Sequence, residues 1–309
     1  MTLWGQSSTK PPTSVDELLD PAVRAALIGL DIEARRLLAS PRHGERRSTR
    51  RGSSVEFADF RPYAPGDDLR RVDWNVYARL DALVVKLFQD EEDLLTVLAV
   101  DDSASMVFGE PCKHVFARRL AMCIGIIALS AGHRTSCHAL ASDAPASQTL
   151  RGRGSLGALA RWVLDLNGLG RGDLAADLRR LADRIPGRAK LIVLTDGLQQ
   201  GDALPAALAA VGARGHDTHL VQLLSPQERS PLHTGLTGDH RLVDAETGDG
   251  PAISVTASVE AAYQTRLHLH IDMLENACRC SGAHHTLVHT DASIEALLRQ
   301  RLRRGGLLR

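Results

Sequence analysis

The sequence predicts an α/β fold, a mostly parallel sheet with helices on both faces and an N-terminal extension. Three observations carry this. The runs Leu94–Val100, Lys190–Thr195 and Thr218–Leu224 have the length of strands and little polar alternation, which suits strands buried on both faces. Segments of helical character separate them at His114–Ala131, Leu156–Leu166, Leu174–Ile185 and Ala203–Ala213. The first two runs end in carboxylates, Asp101 and Asp196, and ligands of open α/β sheets lie in the crevice beyond the strand ends.

Taken in order, residues 1–14 are polar and proline-bearing and read as a disordered tail. Residues 15–93 read as an N-terminal helix and an aromatic segment packed on the main domain, 94–309. Leu27, Leu30, Ala34 and Leu38 recur at helical spacing and predict one helix over Leu18–Leu38. The basic stretch RHGERRSTRRG follows it, read as a solvated or acid-paired loop. Residues 52–93 hold six of the eleven aromatics, interleaved with arginines and acids. Burial is the ordinary fate of aromatic rings, so these are expected to pack beneath an appended layer held by Arg–carboxylate pairs. Aromatic and arginine-rich surfaces also form binding hot spots, which makes Arg61, Tyr63, Asp67, Asp68, Arg70, Asp73 and Trp74 a second contact surface to test. After the core alternation, an inserted hairpin-like excursion is expected near 236–256. Val259–Cys280 reads as a long helix, His284–His289 as a last strand and Ile294–Arg304 as a terminal helix.

The 37 basic and 37 acidic residues balance, so no global charge argues for nucleic acid or an anionic membrane. Five scattered cysteines without C-x-x-C spacing indicate neither a disulfide framework nor a zinc site and fit a reducing cytoplasm. The N-terminus lacks the apolar core of a signal peptide, and Leu120–Ala131 is too short to span a bilayer.

The chemistry concentrates at Asp101, Ser103 and Ser105. A tight turn after a strand aims a D-x-S-x-S triplet at one point, where oxygen ligands suit a hard cation such as Mg²⁺, and Asp196 at a neighbouring strand end adds a second carboxylate. The plain alternative is that Asp101 and the serines only cap the next helix. Gly152, Gly154 and Gly157 satisfy G-x-G-x-x-G, but the ASQTLR before them is a poor buried strand for a dinucleotide fingerprint. His284, His285 and His289 lack a matching third ligand for a transition metal. A phosphorelay receiver would need a lysine at a later strand end, and none of the four lysines stands there. A phosphatase with an aspartyl nucleophile would want an acid where Ser103 stands.

The segments GSSVEFADFRPYAPGDDLRRVDWNVYARL at 52–80, DDSASMVFG at 101–109, LTDG at 194–197 and the tail HTDASIEALLRQRL resemble the DUF58 family of von Willebrand factor A-like proteins. The resemblance implies an A-like, Rossmann-like sheet whose D-x-S-x-S run is a metal-ion-dependent adhesion site. Such a site holds Mg²⁺ or Mn²⁺, with an acidic side chain of a partner completing the coordination. Asp101, Ser103, Ser105 and Asp196 match its residues. The loop threonine of the pattern falls on Gly172, leaving neighbouring Asp173 or water to substitute. The resemblance also implies a cytoplasmic, non-enzymatic adaptor working with a MoxR-class AAA+ ATPase. The alternative from another class is a metal-dependent phosphoesterase using Asp101 and Asp196.

Overall fold

The computed structural model describes residues 10–33, 56–67, 69, 72–89, 94–142, 146–199, 201–236, 238–241, 250 and 252–309. The chain divides into two compact units, one of residues 1–40 with 94–309 and one of residues 41–93. The first unit opens with two short helices, α1 (Val15–Leu18) and α2 (Pro21–Ala26). Asp20 accepts the Val23 N–H at 2.8 Å and Pro21 takes the first helical position, so the chain restarts where one long helix was expected. The remainder of the expected Leu18–Leu38 helix, beyond Glu33, lies outside the described residues.

In the second unit, β1 (Glu56–Pro62) pairs antiparallel with β2 (Val84–Gln89), and helix α3 (Trp74–Leu80) lies between them in sequence. Asp73 caps α3 by accepting the N–H groups of Asn75 and Val76. Val72 and Val85 are buried, but Phe60, Trp74 and Tyr77 are 41%, 57% and 41% exposed. The expectation of buried rings therefore fails for these three: Trp74 and Tyr77 lie on α3, which buries none of its residues, and Phe60 lies on β1.

The large unit is built on a six-stranded sheet of order β10-β7-β6-β3-β4-β5. Its strands are β3 (Leu95–Asp101), β4 (Arg134–Leu140), β5 (Leu150–Arg151), β6 (Lys190–Thr195), β7 (Asp217–Leu224) and β10 (His284–His289). All neighbours are parallel except the short β5, which pairs antiparallel with Arg134 and Thr135. Beyond that pairing, β4 is closed by loop groups: Cys137 N–H donates to Ser147 Oγ, Ser147 N–H to the Cys137 carbonyl, and Ala141 N–H to Asp177.

Alternation along each strand sorts the core into two layers. One face carries Leu98, Val100, Ile192, Leu194, Val221 and Leu223, packed on α4 (Lys113–Ser130), α5 (Leu156–Asp165) and the C-terminal segment. The other carries Val97, Ala99, Leu191, Val193 and Leu220, packed on α6 (Leu174–Arg184) and α7 (Ala203–Ala213). The short α8 (Pro226–Arg229) follows β7. The expected excursion is present as the antiparallel pair β8 (Gly238–Arg241) and β9 (Ala252–Val255). Helix α9 (Ala257–Ser281) then leads into β10, with Leu274 and Cys278 buried in the second layer. The terminal helix runs as predicted from Ile294 to Arg304, with a π turn at Leu297–Arg301. This is the α/β architecture the sequence predicted, with helices on both faces of a mostly parallel sheet. Among the described residues no helix is long and apolar enough to cross a membrane.

Chain direction fixes where a ligand meets this sheet. From β3 the chain runs outward through β4 and β5, then returns to the other side for β6, β7 and β10. The carboxyl ends of β3 and β6 are therefore the switch point of the sheet, the crevice where α/β folds bind.

Candidate metal-binding and interaction site

β3 and β6 are adjacent, with Val100 opposite Leu194, so Asp101 and Thr195 emerge side by side at the next register position. The Thr195 hydroxyl donates to Asp101 Oδ2 at 2.6 Å, and the Ser103 N–H donates to Oδ1 at 3.0 Å. The chain turns at once through Ala104–Met106, which brings Ser103 Oγ and Ser105 Oγ within 2.9 Å. Asp196 continues from Thr195, its Oδ1 accepting the Leu198 N–H at 3.2 Å.

A buried lysine completes the arrangement. Lys113, the first residue of α4, is 1% exposed and places Nζ 2.7 Å from Asp196 Oδ2 while also pairing with Glu228 Oε1. Glu228 is in turn held by a capping box at the start of α8, where its Oε2 accepts from the Ser225 N–H and hydroxyl. Behind Asp101, the fully buried Asp102 meets His114 Nε2 at 2.8 Å and accepts the N–H of Gly168 and the hydroxyl of Ser142. Asp102 thereby ties the D-x-S-x-S turn to α4 and to the loop before α6.

Burial and the neighbouring Asp196 carboxylate push Asp101 up to about 6, against the hydrogen bonds from Ser103 and Thr195. Burial opposes charge on Lys113 as well, yet Asp196 and Glu228 hold its ammonium above the ordinary lysine range. The carboxylates thus outnumber the one ammonium among them, and the serine hydroxyls add neutral oxygen donors. An all-oxygen set with surplus negative charge suits a hard divalent cation. Among the described residues no group of three or more His, Cys, Asp and Glu side chains is placed to hold a metal, so any cation here draws on the serines.

Asp101, Ser103, Ser105 and Asp196 therefore lie at the one crevice the sheet order creates. Asp173 is placed differently: it is exposed and caps α6, accepting the Ala176 N–H at 3.0 Å. A side chain at position 172 would have its Cβ 2.9 Å from the Ala141 backbone, so Gly172 is where two backbones meet. The residues missed from the sequence are Thr195, Lys113 and Glu228. Two carried a signal. S-P-Q-E at 225–228 is a capping box, and a lysine at a helix start opposes the helix dipole. No lysine stands at the end of a later strand, and Lys113 reaches Asp196 from the start of α4.

In the smaller unit, Arg61 pairs two-pronged with Asp67 at 2.7 and 2.6 Å, Tyr63 is half-buried, and Trp74 packs edge-on against Tyr77. Asp73 is committed to capping α3, whereas Asp68 and Arg70 lie outside the described residues.

The family model described as "Protein of unknown function DUF58" matches residues 59–272, more than half of the chain. The chain belongs to the DUF58 family. This DUF58 chain is 28% identical over 289 residues to uncharacterized proteins of Mycobacterium tuberculosis and Mycobacterium bovis, covering 91% of its own length and 89% of theirs. Among solved structures it is similar to the BatB protein of Bacteroides thetaiotaomicron, at 13% identity and TM-score 0.43 over 69% of this chain and 98% of that one. A von Willebrand factor type A protein of Catenulispora acidiphila gives 16% identity and TM-score 0.41 over 73% and 44% of the two chains. An aerotolerance-related membrane protein of Bacteroides fragilis gives 16% and 0.41 over 68% and 99%.

Proposed function

We propose that this DUF58 protein is a non-enzymatic interaction adaptor whose strand-end centre takes Mg²⁺ or Mn²⁺ through Asp101, Ser103, Ser105 and Asp196. The observation that carries the reading is the position of these oxygen donors at the switch point of the sheet, with Asp101 buried and short of positive charge. A bound cation would offer an acidic group of a partner a place to coordinate. Asp173 stays with α6 as its cap, and the Thr195 hydroxyl donates to Asp101. The exposed Trp74 and Tyr77, with Tyr63 and the Arg61–Asp67 pair, form the second contact surface. The resemblance to A-like adaptors makes a MoxR-class AAA+ ATPase the partner to test first. Five free cysteines support a cytoplasmic setting.

Mn²⁺ titration followed by electron paramagnetic resonance tests the centre. Wild type binds Mn²⁺, Mg²⁺ competes, and Asp101→Ala and Asp196→Ala each weaken binding by about tenfold or more, as loss of a charged ligand requires. Equal binding by wild type and both variants would remove the centre from the account. Turnover of a generic phosphoester that disappears with Asp101→Ala would favour a hydrolase instead.

A further inference from the structure

Lys113 occupies a position that helix physics disfavours. It is the first residue of an 18-residue helix whose N-cap, Cys112, makes no side-chain cap bond, and the helix dipole puts positive potential at that end. Burial adds a second penalty, since an ammonium 1% exposed has left nearly all of its water behind. Two carboxylates from distant parts of the chain offset both. Asp196 comes from the end of β6, and Glu228 from α8, itself locked by Ser225. The Phe108 ring lies 5.7 Å below the ammonium. Meanwhile both oxygens of Asp196 already accept hydrogen bonds, one from Lys113 and one from the Leu198 amide.

We propose that Lys113 is the resident counter-ion of the strand-end centre, holding Asp196 closed until an arriving divalent cation takes that carboxylate and leaves the ammonium to Glu228. This deepens the metal reading above and rests on the same carboxylates. It assigns Glu228 as the alternate partner that keeps the displaced ammonium paired while buried. It also means that the centre stays assembled without metal, whereas other cation sites of like-charged carboxylates need the ion to hold them together. Lys113 acts by positioning Asp196 and does not itself contact the cation.

The test compares Mn²⁺ affinity and thermal midpoint, in chelator and in Mn²⁺, for wild type, Lys113→Met and Lys113→Arg. Expected results are an affinity about tenfold or more above wild type in Lys113→Met, because one competing charge beside Asp196 is gone, and wild-type affinity in Lys113→Arg. The wild-type midpoint rises with Mn²⁺ as its binding requires, while Lys113→Met melts several degrees lower in chelator and gains more from the metal. Binding by Lys113→Met alone would support the lysine's role and refute metal loading of the native chain. Equal affinity in wild type and Lys113→Met would overturn the role of Lys113 and leave the metal reading standing. Binding by neither overturns both. Should Lys113→Met not fold in chelator, Lys113→Gln keeps one hydrogen bond to the carboxylates and takes its place. If neither variant is recovered by Mn²⁺, the proposal fails.

Discussion

At Gly172 the backbone passes the Ala141 backbone so closely that an added Cβ would sit 2.9 Å from Ala141 Cα and carbonyl carbon. Gly172 N–H also donates to the Ala141 carbonyl at 2.9 Å, which holds the two strands of chain at that spacing. Gly172→Thr, which supplies the threonine that the resemblance to adhesion-type sites would call for, is therefore expected to destabilise the fold by about 1–3 kcal/mol, as overpacking does, and a urea titration measures it. A hydroxyl from the neighbouring strand, that of Thr195, does reach Asp101, and it also accepts the Gly197 N–H at 3.0 Å. Thr195→Val keeps the shape and strips both bonds, so a loss of about 1–3 kcal/mol in the same titration is expected for groups left buried and unpaired. Asp101, Ser103 and Asp196 were legible in the sequence because an apolar run ending in polar atoms marks a strand end by itself. Lys113 and Glu228 were not, since their meeting spans 115 residues of chain and depends on how far a lysine side chain reaches from a helix that local pattern can only place.

Helices α7 and α9 meet without room between them. A Cβ at Gly212 of α7 would stand 2.3 Å from the Ser281 carbonyl oxygen at the end of α9, and neither partner is a flexible side-chain tip. Gly212→Ala is expected to lower stability by about 1–3 kcal/mol, despite the better helix propensity of alanine, and calorimetry would show the opposite sign if the helices simply slid. Element boundaries were legible to within a residue or two wherever an apolar stripe faced the sheet, as at Ala203–Ala213, which matched at both ends. They failed where capping chemistry overrode the stripe. Asp20-Pro21 starts a new helix inside the expected one, and that helix stops at Ala26, ahead of Leu27, Leu30 and the left-handed Gly29 (φ 78°). The β1–β2 pair went unread because Glu56–Pro62 alternates aromatics with charges of both signs and ends in proline, a weak strand pattern whose pairing lies in β2, more than twenty residues on.

Six of the described histidines are placed where protonation is costly. Burial lowers His133, His138, His216, His285 and His289 below the ordinary value of 6.5, and it lowers His219 furthest, with Lys190 and the neighbouring His284 and His285 adding to it. A histidine depressed in the folded state binds its proton first in the unfolded chain, so stability is full above about 6.5 and falls as pH drops below it. Asp101 and Glu228, both raised by burial, take protons first in the folded chain and oppose that loss, so the test is a difference between chains: between pH 7.5 and 5 the denaturant midpoint is expected to fall less, or rise more, in His219→Gln than in wild type. An unchanged slope in His219→Gln would assign the effect to the other five. The overall sheet was the most legible level of all, because strand and helix alternation constrains topology so strongly, while the switch point between β3 and β6 needed only the order of strands. One consequence of that order lies at its far side. β5 shields only two residues of β4, but the Ser147 hydroxyl and amide and the Asp177 carboxylate occupy backbone groups of Cys137 and Ala141. A passing extended chain finds those hydrogen-bonding positions already taken, which disfavours strand addition along this stretch of the β4 edge.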